Sequence, residues 1–460
     1  IGAGTTSGTS LTKIIHDSLT NTFTISPGSD KAVRVSGIYF DKVTSNQTLG
    51  GYRRAIVVYG AGNGSYCLTK LRIDHNYFNK GVGTVWVSGW SYGLIDNNTF
   101  VNGNAPVRFV GDNSLAWART FEAGTINSFF IENNTFIIND SYGAGLQNNE
   151  MIYPAEAVRL VVRYNTYDAT ALTIADTPLL VTGHPNYGSG LYEYRAELLS
   201  EIYNNTISYH HSYMLMFSSR GGSYLVHDNN VTYTNSGYAY ILDITEEEGW
   251  TSGGLFCPSC PVTTTFPAGD QVVNTFIWGN TFNGISTNNI SYHRAVGNGG
   301  YDNIIMNQDR DYWLHAPAAT GGKIYYVTNS MCTKSGSPAG CCTGNGTGNC
   351  FPGHADATLF TAAGANAYYP YTPFTYPHPI RTDCVSYPTL CDAGSPQTCT
   401  YAYSSWGACQ STNTQSRTVI SSSPSGCTGT PILTQSCTYT PQNFLPEQYI
   451  QAESGILTSM

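Results

Sequence analysis

Charged side chains are scarce in this 460-residue chain: they make up 11% of it, and Lys and Arg together number only 21. In globular proteins, charged residues usually make up about a quarter of the chain. With a formal net charge of −9, the sequence offers no basic stripe for a nucleic-acid backbone, so that class of partner is excluded. No run approaches the roughly 20 apolar residues of a membrane-spanning helix, so no membrane span is expected.

The abundant residue types point to strands, turns and secretion. The chain has 48 Gly and 34 Tyr, a composition that favours strands and turns over solvated helices. It starts at Ile1 without a charged-then-apolar leader, so we expect a processed or internal fragment whose signal segment lies outside it. Thirteen cysteines, crowded toward the C-terminal part, are typical of an oxidising compartment. The sequence therefore predicts a secreted protein, extracellular or on the cell surface.

One six-residue phrase recurs, with an apolar residue first, an asparagine fourth and an apolar residue sixth. Examples are IDNNTF at 95–100, IENNTF at 131–136 and IYNNTI at 202–207. The intervals between its asparagines run from 22 (98 − 76) to 51 (280 − 229) residues. The shortest intervals correspond to one coil. A longer interval is either one coil lengthened by a loop or two coils of which one lost the motif. The asparagines are Asn76, Asn98, Asn134, Asn165, Asn205, Asn229 and Asn280.

The composition of the repeat selects the architecture. Periods of this length indicate a solenoid, a propeller or an array. Isolated apolar positions filled by β-branched and aromatic residues exclude a helical stripe, and 22 residues cannot hold the four strands of a propeller blade. A parallel β-helix remains. In it, the asparagines are predicted to form the sharp corners, because Asn tolerates the left-handed backbone region, and to stack as a hydrogen-bonded ladder.

These repeats, together with NQDRDYW (307–313) and YYPYTPFTYPHPI (368–380), resemble a group of secreted bacterial right-handed parallel β-helix proteins with the pectate-lyase-like fold. The resemblance covers residues 1–380 and implies an all-β, right-handed parallel β-helix in which YTPFTYPHPI is the closing phrase. It implies the fold and leaves the chemistry open, because the same fold hosts lyases, polygalacturonases and viral tailspikes.

A polysaccharide lyase would need a base, a charge-neutralising cation or Ca²⁺, and a groove along one sheet face. HPNYGSGLYEYR (184–195) resembles a recurrent His-Gly…Arg stretch of the group, and polar residues of consecutive coils are predicted to share a face. The alternative is that they form ion pairs bordering a long loop. The candidate catalytic residues are His184, Arg195, Arg163 and Glu193, with Arg159 and Glu201 beside them.

The composition changes after Ile380, where an even set of cysteines appears in a stretch poor in Leu, Ile and Val. This predicts a small disulfide-rich β module at 381–440, stapled by three disulfides of unknown pairing. A linker is predicted at 441–449, and the start of another domain at 450–460. The six cysteines are Cys384, Cys391, Cys399, Cys409, Cys427 and Cys437.

The predicted module carries a second resemblance. Its segment YSSWGACQSTNTQSRTV is similar to a thrombospondin type 1 repeat, which implies a cation–π contact between Trp406 and Arg417. Such modules bind matrix glycans or proteins, or act as spacers. The final IQAESGILTSM looks like the opening strand of a jelly-roll carbohydrate-binding module, which implies that Glu453 ligates a structural Ca²⁺. No other cofactor is expected.

Two more cysteine clusters lie in Gly-rich and Thr-rich stretches. We predict disulfide-pinned loops in both, rather than a redox or a zinc site, because neither a supporting helix nor a firm ligand spacing is present. The clusters comprise Cys257, Cys260, Cys332, Cys341, Cys342 and Cys350.

Two functional hypotheses follow. The favoured one is a β-helix protein that engages polysaccharide on exposed aromatic side chains, or serves as a structural or adhesive element such as a filament, sheath or surface appendage. Because its end coils expose strand edges, end-to-end self-assembly belongs to this hypothesis. The alternative is a polysaccharide lyase or glycoside hydrolase acting on an acidic polysaccharide.

Overall fold

The computed structural model divides the chain into two compact units, Ile1–Cys391 and Asp392–Met460. The first unit continues past residue 380, where the sequence placed its end, because residues 379–391 pack onto it. The structure describes residues 12–15, 21–42, 54–60, 67–111, 122–139, 151–155, 158–171, 181–182, 197–210, 213–219, 222–234, 238–246, 272, 274–286, 290–294, 308–309, 312–317, 371–392, 399–423 and 430–440.

The described part of the first unit consists of short strands and one short helix, α1 (Pro379–Thr382). The strands are β1 (Thr12–Ile15), β2 (Phe23–Ile25), β3 (Val33–Ser36), β4 (Ile38–Asp41), β5 (Ile56–Tyr59), β6 (Leu68–Asp74), β7 (Tyr77–Asn79), β8 (Val85–Ser88), β9 (Ser91–Asp96), β10 (Thr99–Val101), β11 (Val107–Val110), β12 (Phe129–Glu132), β13 (Thr135–Ile137), β14 (Ile152–Tyr153), β15 (Arg159–Arg163), β16 (Thr166–Ala169), β17 (Val181–Thr182), β18 (Leu199–Tyr203), β19 (Thr206–Tyr209), β20 (Tyr213–Ser219), β21 (Ser223–His227), β22 (Asn230–Tyr233), β23 (Tyr238–Glu246), β24 (Thr275–Trp278), β25 (Thr281–Phe282), β26 (Ile285–Ser286), β27 (Ile290–Arg294) and β28 (Tyr312–Trp313).

Successive strands enter three sheets in turn, so each coil of the chain adds one strand to every sheet. The first sheet has the order β1-β4-β7-β10-β13-β16-β19-β22-β25-β26, the second β2-β5-β8-β11-β14-β17-β20-β23-β27, and the third β3-β6-β9-β12-β15-β18-β21-β24-β28. Neighbouring strands are parallel, except for the antiparallel pair β25–β26 at one end. This is a parallel β-helix, and the predicted fold class is confirmed.

Apolar side chains from all three sheets fill the interior of the coil in a continuous core. On the first sheet, Phe40, Phe78, Phe100 and Phe136 stack in register, with ring centroids 5.0, 4.7 and 5.0 Å apart and nearly parallel planes. The last three occupy the sixth position of the repeated phrase. The phrase therefore places one aromatic ring over the next along the axis.

The fourth position of the phrase forms a buried column. Asn76 donates from its backbone N–H and its side-chain amide to Oδ1 of Asn98, at 3.0 Å in both cases, and Asn98 binds Asn134 in the same way. The pattern continues through all seven repeat asparagines as far as Asn229 and Asn280. Because even the interval of 51 residues joins direct neighbours in the column, every interval is a single coil.

The left-handed corner lies one residue earlier than the sequence indicated. The repeat asparagines do not have positive φ; the residue before each of them does. The expectation that these asparagines themselves adopt that backbone region is therefore wrong. Their role is to form the hydrogen bonds of the column. The left-handed residues are His75, Asn97, Asn133, Tyr164, Asn204 and Asp228, with φ of 53–57°, and Gly279 with φ of 65°.

Residues 371–391, here called the covering segment, lie on the outer face of the third sheet. Ile380 and Leu390 are buried there in an apolar cluster with residues of the sheet. The ring of Phe130 lies 5.3 Å from that of Phe374 and 4.4 Å from that of His378. These contacts tie the predicted closing phrase to the coil.

A disulfide joins Cys384 to Cys391 at the end of the covering segment. It lies inside the first unit, so the prediction that all six C-terminal cysteines belong to one small module is wrong. The physical reason is that α1 and Leu390 are anchored by the apolar face of the third sheet, and the disulfide ties the chain that follows them.

The described part of the second unit contains four strands in two antiparallel pairs, β29 with β31 and β30 with β32. Cys409 and Cys437 form a disulfide, and Cys399 is disulfide-bonded as well. The Arg417 guanidinium lies 3.4 Å from the Tyr403 ring and 4.3 Å from the Trp406 ring, so the cation sits between two aromatic faces. The strands are β29 (Thr400–Tyr403), β30 (Thr414–Ser416), β31 (Val419–Ser423) and β32 (Thr434–Ser436).

Candidate functional site

The outer face of the third sheet carries a column of polar and aromatic side chains, one from each coil. Strand register aligns Ser36, Asp74, Asp96, Glu132, Arg163, Tyr203, His227 and Trp278. This is the face that the sequence singled out for a catalytic group.

Arginines on this face are engaged by carboxylates of neighbouring coils and by carbonyls of the covering segment. Arg72 is fully buried; its Nε and Nη2 donate to the two carboxylate oxygens of Asp96 at 2.8 and 2.7 Å, and its Nη1 donates to the Leu390 carbonyl. Arg34 makes the same bidentate pair with Asp74, and this pairing holds the pKa of the Asp74 carboxyl well below its usual range, against the opposing effect of burial.

Arg163, one of the candidate catalytic residues, belongs to this structural network. Its Nε donates to Glu132 at 2.8 Å, and its Nη1 and Nη2 donate to the carbonyls of Phe374 and Thr375. The side chain is fully buried beneath the covering segment. The covering segment encloses this guanidinium, an arrangement that fits the ion-pair alternative. The catalytic assignment of Arg163 stays a prediction.

The remaining candidates divide into buried and undescribed residues. Arg159 is 5% exposed and lies beside Glu122, at 3.4 Å, and the Tyr92 hydroxyl. Glu201 is fully buried on the same face as Arg163. The other three, His184, Glu193 and Arg195, lie outside the described residues, as do Glu453 and the cysteines at 257, 260, 332, 341, 342, 350 and 427.

Glu201 has an unusual environment for a carboxyl group. Burial raises its pKa to about 7, although the Gly124 N–H and the Tyr371 hydroxyl donate to its two oxygens at 2.8 and 2.9 Å. The Tyr371 hydroxyl also lies 3.3 Å from His227 Nε2. Because Tyr371 belongs to the covering segment, this carboxyl joins the segment to the sheet rather than facing solvent.

A second candidate surface lies on the outward face of the second sheet. Strand register places Trp86 beside Arg108, and Arg108 beside Tyr153, on its outward face. Arg54 comes just before the neighbouring strand β5, and its guanidinium lies 3.4 Å from the Trp86 ring centroid. We call these four residues the arginine–aromatic row.

The row is an alternating stack of cations and rings. The Arg108 guanidinium lies 4.9 Å from the Trp86 ring and 3.9 Å from the Tyr153 ring. The indole of Trp86 therefore contacts two guanidiniums, and the guanidinium of Arg108 contacts two rings. Arg54, Trp86 and Arg108 are half-buried, and Tyr153 is nearly covered. Each contact restricts its neighbours, so the row is a line of rings and guanidiniums held in fixed positions.

Sequence reasoning missed this row, although a signal was present. Strands of the second sheet alternate between inward and outward residues, as in VWVS at 85–88 and VRFV at 107–110. Trp86 and Arg108 each come ten residues after a repeat asparagine (86 − 76 and 108 − 98). Aligning the coils on the asparagines would have placed these two side chains next to one another.

Comparisons of the chain with protein-family models, with curated proteins and with solved structures gave no match. No helix among the described residues is both long enough and apolar enough to cross a membrane.

Proposed function

We propose that the protein is a secreted or cell-surface β-helix that binds polysaccharide, as an adhesive or structural element, and that the arginine–aromatic row is its binding surface. The observation that carries the proposal is the stacking of Arg54, Trp86, Arg108 and Tyr153 along the coil axis. A ligand lying along this line meets one side chain per coil.

Two physical features support a polymer as the ligand. Neighbouring coils are separated by about 4.8 Å, the spacing of hydrogen-bonded strands, so the row repeats at a scale similar to that of a sugar chain. Tyr and Trp also combine a large apolar face with a polar edge, which suits the mixed surface of a sugar ring. Trp86 is half-buried, so part of the indole lies at the surface beside the guanidiniums of Arg54 and Arg108.

On the third sheet, two of the candidate lyase residues are engaged in the fold. Arg163 and Glu201 are both buried and both hydrogen-bonded to the covering segment. A lyase requires a base and a cation that face substrate in a groove. These two groups serve cohesion of the fold.

The second unit fits the same proposal as an accessory module related to thrombospondin type 1 repeats. Its support is the predicted contact of Trp406 with Arg417, together with the Cys409–Cys437 disulfide. The order of stacking differs from the family pattern, in which a Trp lies between Arg side chains: here Arg417 lies between Tyr403 and Trp406.

Retention on immobilised polysaccharides tests the proposal. The full chain and its Trp86→Ala variant are passed over a panel of neutral and acidic polysaccharides, and the same mixtures are followed by ultraviolet absorbance for the unsaturated products of a lyase. We expect retention of the full chain, loss of retention in the variant, and no absorbance change. No retention on any polymer, or equal retention of the variant, contradicts the proposal. Steady product formation would establish the lyase alternative.

A further inference from the structure

A continuous line of polar side chains leads from the surface of the third sheet to the buried carboxyl of Glu201. His227 Nδ1 lies 2.9 Å from Oδ2 of Asp228, and His227 Nε2 lies 3.3 Å from the Tyr371 hydroxyl. That hydroxyl in turn lies 2.9 Å from Glu201 Oε2. The Asp228 side chain is 51% exposed, whereas His227 and Glu201 are buried. We call these four residues the relay.

Stacking holds the His227 ring in one orientation within the relay. The rings of Tyr203 and Trp278 lie on it at 4.6 and 4.2 Å between centroids, each within 8° of parallel. Its two nitrogens are therefore directed to Asp228 and to Tyr371. Burial lowers the pKa of His227, against the opposing effect of Asp228. An imidazole held in this way can accept a proton at one nitrogen and release one from the other.

The direction of each hydrogen bond sets the number of protons that the relay holds. With Glu201 protonated, its O–H donates to Tyr371, whose own O–H donates to Nε2 of a neutral His227. The Nδ1–H of that ring then donates to Asp228. With the proton on His227 instead, Tyr371 donates to the Glu201 carboxylate, and both nitrogens of the imidazolium donate to their neighbours. Every donor has an acceptor in both arrangements, and both hold the same number of protons.

Removing one proton breaks this line. The Tyr371 O–H then donates to the ionised Glu201 and cannot also donate to His227. If the ring proton sits on Nε2, it donates to Tyr371, but Nδ1 then turns a lone pair toward the Asp228 carboxylate. One bond of the relay is lost in either tautomer. Burial raises the pKa of Tyr371 above its ordinary value, so its hydroxyl stays protonated throughout and only passes protons on.

The surroundings of Glu201 decide when the relay loses its proton. Burial raises the pKa of this carboxyl to about 7, although Arg163 and Arg159 face it from β15 and act in the opposite sense. Arg163 is paired with Glu132 at 2.8 Å, and Arg159 lies 3.4 Å from Glu122. The charges of both arginines are therefore already balanced, and an ionised Glu201 is an additional buried negative charge.

From this geometry we infer that Glu201, Tyr371 and His227 share one proton, and that its loss loosens the start of the covering segment from the third sheet. The Glu201 proton passes to the Tyr371 oxygen as the Tyr371 proton passes to His227 Nε2, and the Nδ1 proton leaves through Asp228 to water. The relay is thus a pH-sensitive fastening, closed while the proton is held. This goes beyond the proposed function and does not depend on what the arginine–aromatic row binds.

Nitrogen NMR of the His227 ring from about pH 5 to about pH 8 tests the shared proton, because the ring shifts distinguish the imidazolium and the two neutral tautomers. The full chain is compared with Glu201→Gln and Tyr371→Phe. Tyr376→Phe is the matched control, since it removes a hydroxyl of the same segment that donates to Asn133 outside the relay. His227→Gln assigns the resonances, and urea unfolding verifies that each variant is folded.

We expect the His227 ring of the wild type and of Tyr376→Phe to change its protonation pattern near pH 7, where Glu201 ionises. Glu201→Gln has no proton to give and Tyr371→Phe cannot pass one, so neither should show this transition. A transition that persists in Tyr371→Phe means that the Glu201 charge acts through space, which overturns the relay. A wild-type ring that does not respond near pH 7 overturns it as well.

Backbone hydrogen exchange of residues 371–378 tests the fastening. After correction for the intrinsic effect of pH, exchange in the wild type and in Tyr376→Phe should be about three- to tenfold faster at about pH 8 than at about pH 6, the effect of one lost hydrogen bond. Glu201→Gln should stay slow at both values, because its amide N–H replaces the carboxyl O–H as donor to Tyr371. Tyr371→Phe should be fast at both. Equal acceleration in Glu201→Gln and the wild type refutes the fastening.

Discussion

Replacing Glu201 with glutamine tests the buried carboxyl that joins the covering segment to the third sheet. The pKa of Glu201 is raised from 4.5 to about 7, chiefly by burial. A folded-state pKa above the unfolded value means that the folded protein holds the proton more tightly. The resulting stability is fully present below about pH 4.5, and is lost as the pH rises through about 7.

The size of the effect follows from the pKa. Each pKa unit corresponds to about 1.4 kcal/mol, so the difference between 4.5 and about 7 amounts to about 3 kcal/mol of unfolding free energy. Glutamine keeps an oxygen for the Gly124 N–H or the Tyr371 hydroxyl, and has no charge to desolvate. The variant should therefore lack this loss of stability.

Urea unfolding followed by circular dichroism, at about pH 5 and about pH 8, measures the loss in wild type and variant. Comparing the two proteins separates the effect of Glu201 from that of His378, whose effect on stability has the opposite pH dependence. Burial lowers the pKa of His378 to about 3, so its contribution to stability decreases as the pH falls below about 6.5. Asp168→Asn, which removes a half-exposed carboxyl on the first sheet, is the control and should behave as wild type. The reasoning is refuted if Glu201→Gln loses as much stability between the two pH values as the wild type does.

Three further substitutions test the column, the corner and the ion network. Asn134→Ala leaves the buried Asn98 N–H unsatisfied and removes the bonds that the Asn134 amide donates to the carbonyls of Ile95 and Glu132. The unfolding free energy measured in urea should therefore fall by about 2–4 kcal/mol, whereas Asn230→Ala on the exposed face should change it by less than about 1. Equal losses would contradict the role of the column. Asn204 has φ of 55°, a backbone region that Gly adopts readily and Val does not. Asn204→Gly should therefore leave the unfolding free energy nearly unchanged, whereas Asn204→Val should lower it by about 1–2 kcal/mol. A reversed order of the two variants in thermal melting would refute the corner assignment. Arg72→Met leaves the buried Asp96 carboxylate without its ion-pair partner and should lower the unfolding free energy measured in urea by about 3–5 kcal/mol. Adding Asp96→Leu should recover most of this loss. Failure to recover it would show that the carboxylate is not the source of the loss.

The coil architecture was predictable because its signals are local. The phrase that includes Asn98 and Phe100 places an amide and a ring at fixed positions in each coil, whatever the length of the loops between coils. The backbone corner was misassigned to the asparagine, because Asn97 and Asn98 are both of the residue type that tolerates positive φ. The positive φ of Asn97 and the hydrogen bonds of Asn98 along the column distinguish their roles.

The site was harder to predict, because its residues meet only through register. Trp86 and Arg108 come from successive coils, whereas Tyr153 follows a longer interval and Arg54 lies outside a strand. The covering segment is further still from its partners: Arg163 and Phe374 are 211 positions apart. Spacing within a motif carries no information about such contacts, so buried Arg163 could not be distinguished from a solvent-facing catalytic residue.

The column of asparagines also has a polarity. Each side-chain oxygen accepts from the asparagine of the preceding coil, and each side-chain nitrogen donates to the asparagine of the following one, so the donor-to-acceptor direction is the same at every step. A whole coil, bounded by two asparagines, is thus an exchangeable module: its removal or duplication rejoins equivalent donors and acceptors. The number of residues between successive corners is outside this constraint, which is why it varies from 22 to 51 along one uninterrupted column.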